Sequence, residues 1–80
     1  RKTFFEVVAE SPRPVIFYES PYRILKSLGE LKELIPTASV VVGRELTKQF
    51  ETVYRGTLDE VVEKLQKEKT RGEFVVIVQQ

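Results

Sequence analysis

The sequence predicts one small α/β domain, a four-stranded mixed or antiparallel sheet carrying helices, with the element order α-β-α-β-β-α-β. Three observations predict it. Four short runs rich in β-branched and aromatic residues read as strands: Val15-Ile16-Phe17-Tyr18, Val40-Val41-Val42, Thr52-Val53-Tyr54-Arg55 and Phe74-Val75-Val76-Ile77-Val78. Apolar residues at helical spacing separate the first run from the second and the third from the fourth. A length of 80 residues allows one hydrophobic core, spanning 1–80, and no second domain.

In chain order, Phe4, Phe5, Val7 and Val8 carry a brief helical pattern that stops at Ser11-Pro12-Arg13-Pro14, because two prolines forbid continuation. The first strand follows, bounded by Pro14 and Pro21. Ser20-Pro21 predicts a helix start, with the serine oxygen as cap and proline at the first helical position, where its missing N–H costs nothing. Ile24, Leu25, Leu28, Leu31, Leu34 and Ile35 then share one face until Pro36. Gly29 inside this helix costs roughly 1 kcal/mol relative to alanine, which reflects either close packing against a neighbour or simple tolerance.

After the second strand, Gly43-Arg44-Glu45-Leu46-Thr47-Lys48 turns abruptly polar. The third strand alternates and ends at Gly56. Thr57 and Glu60 form a capping box, and Leu58, Val61, Val62 and Leu65 supply the buried stripe of the next helix. Glu60 with Lys64 and Glu63 with Lys67 sit four residues apart and read as a solvated face. Thr70-Arg71-Gly72 predicts a turn before a nearly continuous apolar strand that suits a central sheet position. The βαββαβ order fits a ferredoxin-like domain, although other strand orders satisfy the same pattern.

Composition excludes much chemistry. Without Cys or His there are no disulfides, thiolate nucleophiles, imidazole bases or usual zinc sites, and no metal centre is expected. A net charge of +1 supplies no general basic field, so a nucleic-acid contact needs a local patch. The longest apolar run falls far short of a bilayer crossing, and no signal-peptide pattern opens the chain, so a soluble, cytoplasmic protein is expected. The opening Arg1-Lys2, with no initiator Met, suggests a piece of something longer.

Polar groups gather at strand ends. Glu19 follows the first strand, where the free amides of a helix start favour negative charge, whereas Arg23 opposes the helix dipole and wants an anionic partner. That partner is a carboxylate, Glu19 first among them, or a phosphate. Arg44, Glu45, Thr47, Lys48 and Glu51 crowd the segment after the second strand, and such clusters are where α/β domains tend to bind ligands. Arg55-Gly56 and Arg71-Gly72 pair charge with glycine at two further strand ends.

Three stretches at matching spacing, FYESPYRI from Phe17, GRELTKQFETVYRGTL from Gly43 and RGEFVVIV from Arg71, resemble the C-terminal domain of the tetrapyrrole methylase family, and specifically its ribosomal branch. The resemblance covers nearly the whole chain. It implies a two-domain enzyme that binds S-adenosylmethionine between its domains and methylates a cytidine ribose 2'-hydroxyl in small-subunit ribosomal RNA. The chain is then the C-terminal domain, inactive alone, with the N-terminal domain and the ribosomal RNA or small ribosomal subunit as partners. A further strand preceding the first helix is implied by the family fold. Its absence here exposes an edge of the first strand and predicts homodimerisation.

By the same resemblance, Glu19, Arg23, Arg44, Glu45 and Lys48 fall on catalytic positions. Ser20, Pro21, Thr47 and Gly72 fall beside the cofactor, and Arg23, Arg44, Lys48 and Arg55 face the RNA. Arg44 and Lys48 would position phosphates or polarise the oxygen, with Glu19 and Glu45 orienting them. Tyr22 stands where the family commonly has histidine, which removes an imidazole base there. Alternatives are a non-catalytic RNA-binding module, a dimerisation domain, or a domain acting on a tetrapyrrole. An RNA-recognition domain needs an aromatic-rich third-strand motif that ETVYRGTL lacks.

Overall fold

The computed structural model describes residues 3–45, 50–68 and 72–80. Its elements are α1 (Phe4–Glu10), β1 (Val15–Glu19), α2 (Ile24–Leu34), β2 (Ser39–Glu45), β3 (Phe50–Thr57), α3 (Leu58–Gln66) and β4 (Glu73–Gln79), the predicted order. The strands form an antiparallel sheet in the order β1-β4-β2-β3. Thus β4 separates β1 from β2, and β2 separates β4 from β3, so both helical crossovers skip a strand. The central places go to β4, with its unbroken apolar run Phe74–Val78, and to β2, with Val40–Val42, and there both ladders are shielded from water.

All the helices pack on one face of this sheet. Val40, Val42, Tyr54, Phe74, Val76 and Val78 point inward to meet Ile24, Leu28, Leu31, Leu58, Val61 and Leu65 in one continuous core. Phe4 and Phe5 stack edge-on against Phe17, with ring centroids 5.3 and 6.1 Å away, and this pins α1 over the inner side of β1. A Lys32–Asp59 ion pair ties the end of α2 to the start of α3.

Capping settles two helix starts. Thr57 accepts from the Glu60 N–H at 3.2 Å while the Glu60 carboxylate accepts from the Thr57 N–H at 2.9 Å, as the sequence predicts. Glu60 therefore turns back to the cap while Lys64 still acts on its charge, and Lys67 Nζ stands 3.7 Å from Glu63 as the spacing predicts. The same box forms at Thr3 and Glu6, a Thr-x-x-Glu pattern that the sequence reading passed over. At α2 the start differs from expectation. The helix begins at Ile24, and Ser20 enters it through its carbonyl, which accepts from the Arg23 and Ile24 N–H groups at 3.2 and 3.0 Å. The intervening 21–23 form a turn, and the φ that Pro21 fixes suits its first position.

Two further readings change. β2 runs on through Gly43, Arg44 and Glu45, past the Val40–Val42 run that the sequence marks as strand. A Cβ placed on Gly29 meets nothing within 4 Å, so that glycine is tolerated and not demanded by packing.

Candidate functional site at the polar end of the sheet

The register places Glu19, Phe74, Arg44 and Thr52 side by side across the inner face. This is the last inner row before β1 and β2 end, and here the core gives way from aliphatic residues to polar ones. Two adjoining strands lie about 5 Å apart, so Glu19 and Arg44 sit on backbones about 10 Å apart with Phe74 between them. Ser20, Pro21 and Gly72 lie at this same end, as does the strand junction flanking 46–49.

Glu19 occupies the β1 side. Its side chain is 15% exposed. One carboxylate oxygen accepts from the Ser20 N–H at 3.0 Å, and the other accepts from the Ser27 hydroxyl at 2.5 Å. Ser27 is fully buried on the core-facing side of α2. The Arg23 Nε stands 3.9 Å from Glu19, at the outer limit of an ion pair, and its side chain is 53% exposed. Glu19 is thus a junction between strand and helix, whereas Arg23 presents a solvent-facing guanidinium.

Arg44 occupies the β2 side, only 12% exposed. Its Nη1 lies 3.4 Å from Glu68 Oε1, and its Nη2 donates to Thr52 Oγ1 at 3.2 Å. The Tyr54 hydroxyl donates to the same Glu68 oxygen at 2.9 Å. Burial first, then the bond to Glu68, pushes the Tyr54 phenol above its ordinary value, with Arg44 pulling the other way. Tyr54 therefore remains a donor near neutrality and does not act as a base.

Sequence reasoning named Glu19, Arg23 and Arg44, and all three lie at this end. It missed Ser27, which holds Glu19, and Thr52 and Glu68, which hold Arg44, with Tyr54 donating to Glu68. Ser27 carried a legible signal, being a polar residue between Ile24 and Leu31 on the buried stripe of α2. Glu68, beyond the periodic part of α3, carried none. Arg55 lies elsewhere: it follows Val53 on the alternate side of β3, exposed on the opposite face of the sheet. Glu45 continues β2 past Arg44 with its backbone opposite Glu73. Thr47 and Lys48 lie outside the described residues. Among the described residues no group of His, Cys, Asp or Glu is placed to hold a metal, and no helix is long and apolar enough to cross a membrane.

Comparison with known proteins shows what this chain resembles. The family of tetrapyrrole (corrin/porphyrin) methylases matches residues 1–62. Three relatives from Bacillus subtilis, Helicobacter pylori and Streptococcus pyogenes are each named ribosomal RNA small subunit methyltransferase I. They are 34%, 36% and 40% identical, over 99%, 86% and 98% of this chain. The chain spans 27%, 24% and 27% of those relatives, about a quarter of their length.

Proposed function

Because the chain belongs to the tetrapyrrole (corrin/porphyrin) methylase family, we propose that it forms part of an S-adenosylmethionine-dependent methyltransferase. Its acceptor is a cytidine ribose 2'-hydroxyl in small-subunit ribosomal RNA, it acts in the cytoplasm, and the 80-residue chain alone is inactive. The observation that carries the reading is the shared name of relatives from three genera, each matched along nearly this whole chain. The polar end of the sheet supports it by gathering Glu19, Arg23 and Arg44 at one end of the fold.

The cofactor would supply a methyl group on a sulfonium centre. The exposed Arg23 guanidinium, beside Ser20 and Pro21, suits a carboxylate or a phosphate at the rim. Arg44 is already engaged by Glu68 and Thr52, so its work in this reading is to fix the end of β2. Glu19 holds the β1–α2 junction, and through it the backbone that presents Arg23. Methyl transfer to a ribose oxygen depends on such placement, because an in-line approach tolerates little error.

The test is a chimera in which this chain replaces the matching quarter of the Bacillus subtilis relative, assayed with labelled S-adenosylmethionine and small ribosomal subunits. Transfer to the RNA by the chimera, none by the isolated chain, and a tenfold or greater loss with Arg23→Glu are expected. Transfer to a tetrapyrrole and not to the subunit would move the acceptor to the other branch of the family. Transfer by the isolated chain would refute the division of labour.

A further inference from the structure

Among the described residues no helix covers the outer face of the sheet, and its two middle rows are apolar except at Gly43 and Arg55. The register aligns Ile16, Ile77, Val41 and Arg55 in one row, and Tyr18, Val75, Gly43 and Val53 in the next. Ile16, Tyr18 and Val53 are 62%, 75% and 50% exposed. An antiparallel sheet with one wet face ordinarily alternates apolar and polar residues. Here β4 runs Phe74-Val75-Val76-Ile77-Val78 without a polar position, the pattern of a strand covered on both sides. Between the rows lies a depression of about 200 Å3 lined by Val41, Gly43, Val53, Arg55, Val75 and Ile77. It opens where Gly43 brings no side chain between Val75 and Val53.

Composition and area select the occupant. Six of the eight positions are apolar, and five of those are aliphatic, which suits packing against a protein layer. Single-stranded RNA would call for stacked aromatic rings, and Tyr18 is the sole ring in the two rows. With strands about 4.8 Å apart and the rows about 7 Å apart, the patch projects on the order of 250 Å2. A stable association of free partners buries about 800 Å2 on each side. Two free copies meeting through these two rows alone fall well short, whereas a surface tethered in the same polypeptide gains a millimolar effective concentration. The relatives have room for one, since about three quarters of their length lies outside the matched stretch.

We infer that the outer face of the sheet is an intramolecular docking surface for the polypeptide that lies outside this stretch in its relatives. The docked layer is aliphatic, seats one bulky side chain over Gly43 and places a carboxylate opposite Arg55. This inference does not rest on the identity of the methyl acceptor.

The chain has no cysteine, so a single introduced thiol reports on the face. Val75→Cys probes the depression, and Glu33→Cys, exposed on α2, serves as the control. In the isolated chain both thiols should react with a maleimide at comparable rates, allowing for the partial burial of Val75. In the chimera described above, Val75→Cys should slow at least tenfold while Glu33→Cys is unchanged. Equal rates for Val75→Cys in the two contexts overturn the inference. So does protection in the isolated chain that grows with its concentration, which points to a second copy, or protection that appears only with an RNA oligonucleotide. Should the chimera fail to fold, the remaining three quarters of the relative is added in trans at millimolar concentration, and unchanged Val75→Cys labelling there overturns the inference too. Because labelling is read without turnover, it stands or falls separately from the methyl-transfer assay.

Discussion

Replacing Ser27 with alanine removes the hydroxyl that donates to Glu19 at 2.5 Å from a fully buried position. A hydrogen bond to a charged group is worth about 1.5–3 kcal/mol. Alanine returns up to about 0.5 kcal/mol through its better helix propensity, so the net loss should be about 1–2.5 kcal/mol. Against a total stability of about 4–12 kcal/mol for a chain of this size, that is a large fraction. In urea, where small domains have slopes of about 1 kcal/mol per molar, the midpoint should fall by about 1–2.5 M. Far-UV circular dichroism of the isolated chain reads it. Glu19→Gln, and the double variant with Ser27→Ala, complete a cycle in which the second substitution costs less than it does alone. A Ser27→Ala loss under about 0.5 kcal/mol, or strict additivity in the cycle, would refute the reading of Glu19 as a buried junction and return it to the solvent-facing groups.

Further expectations concern the β3 side and two glycines. The Tyr54 phenol is held above its ordinary value, chiefly by burial. Its contribution to stability is therefore complete below the unfolded value near pH 10 and lost as pH rises through the higher folded value. Tyr54→Phe should be less stable near neutrality, yet the gap should close on the alkaline side; a constant gap in urea midpoints across that range would contradict this. Gly29→Ala should stabilise the chain by about 0.5–1 kcal/mol, since its Cβ would meet open space, and a lower thermal midpoint would show that something does pack there. Gly56→Ala should do the reverse by more than about 1 kcal/mol. Gly56 has φ +143°, and a Cβ there would lie 2.7 Å from the Glu60 oxygen that caps α3. Unchanged thermal unfolding in that variant would argue against both the strain and the displaced cap.

Element identity was legible because each signal is local. Residues at helical spacing such as Ile24, Leu28 and Leu31 bury one face whatever lies above them, and β-branched runs such as Val40–Val42 favour extended backbone in any surroundings. The Thr57–Glu60 cap was legible for the same reason. Helix entry at α2 was not, because Ser20 serves through its carbonyl, a group every residue carries, and so the turn over 21–23 leaves no side-chain mark in the sequence. The candidate site divides along the same line. Glu19, Arg23 and Arg44 stood out as charges at strand ends, while Ser27, Tyr54 and Glu68 became their partners only through packing.

The sequence by itself determined the seven elements, their order, the apolar faces of α2 and α3, and the resemblance that names the family. Only the tertiary structure decided that β4 and β2 are central, that Glu19 and Arg44 share one row while Arg55 lies on the reverse face, and that none of the described helices covers the reverse face. The reason is that periodicity fixes which side of an element is apolar, whereas strand order and register, set by contacts between residues far apart in the chain, fix what that side meets.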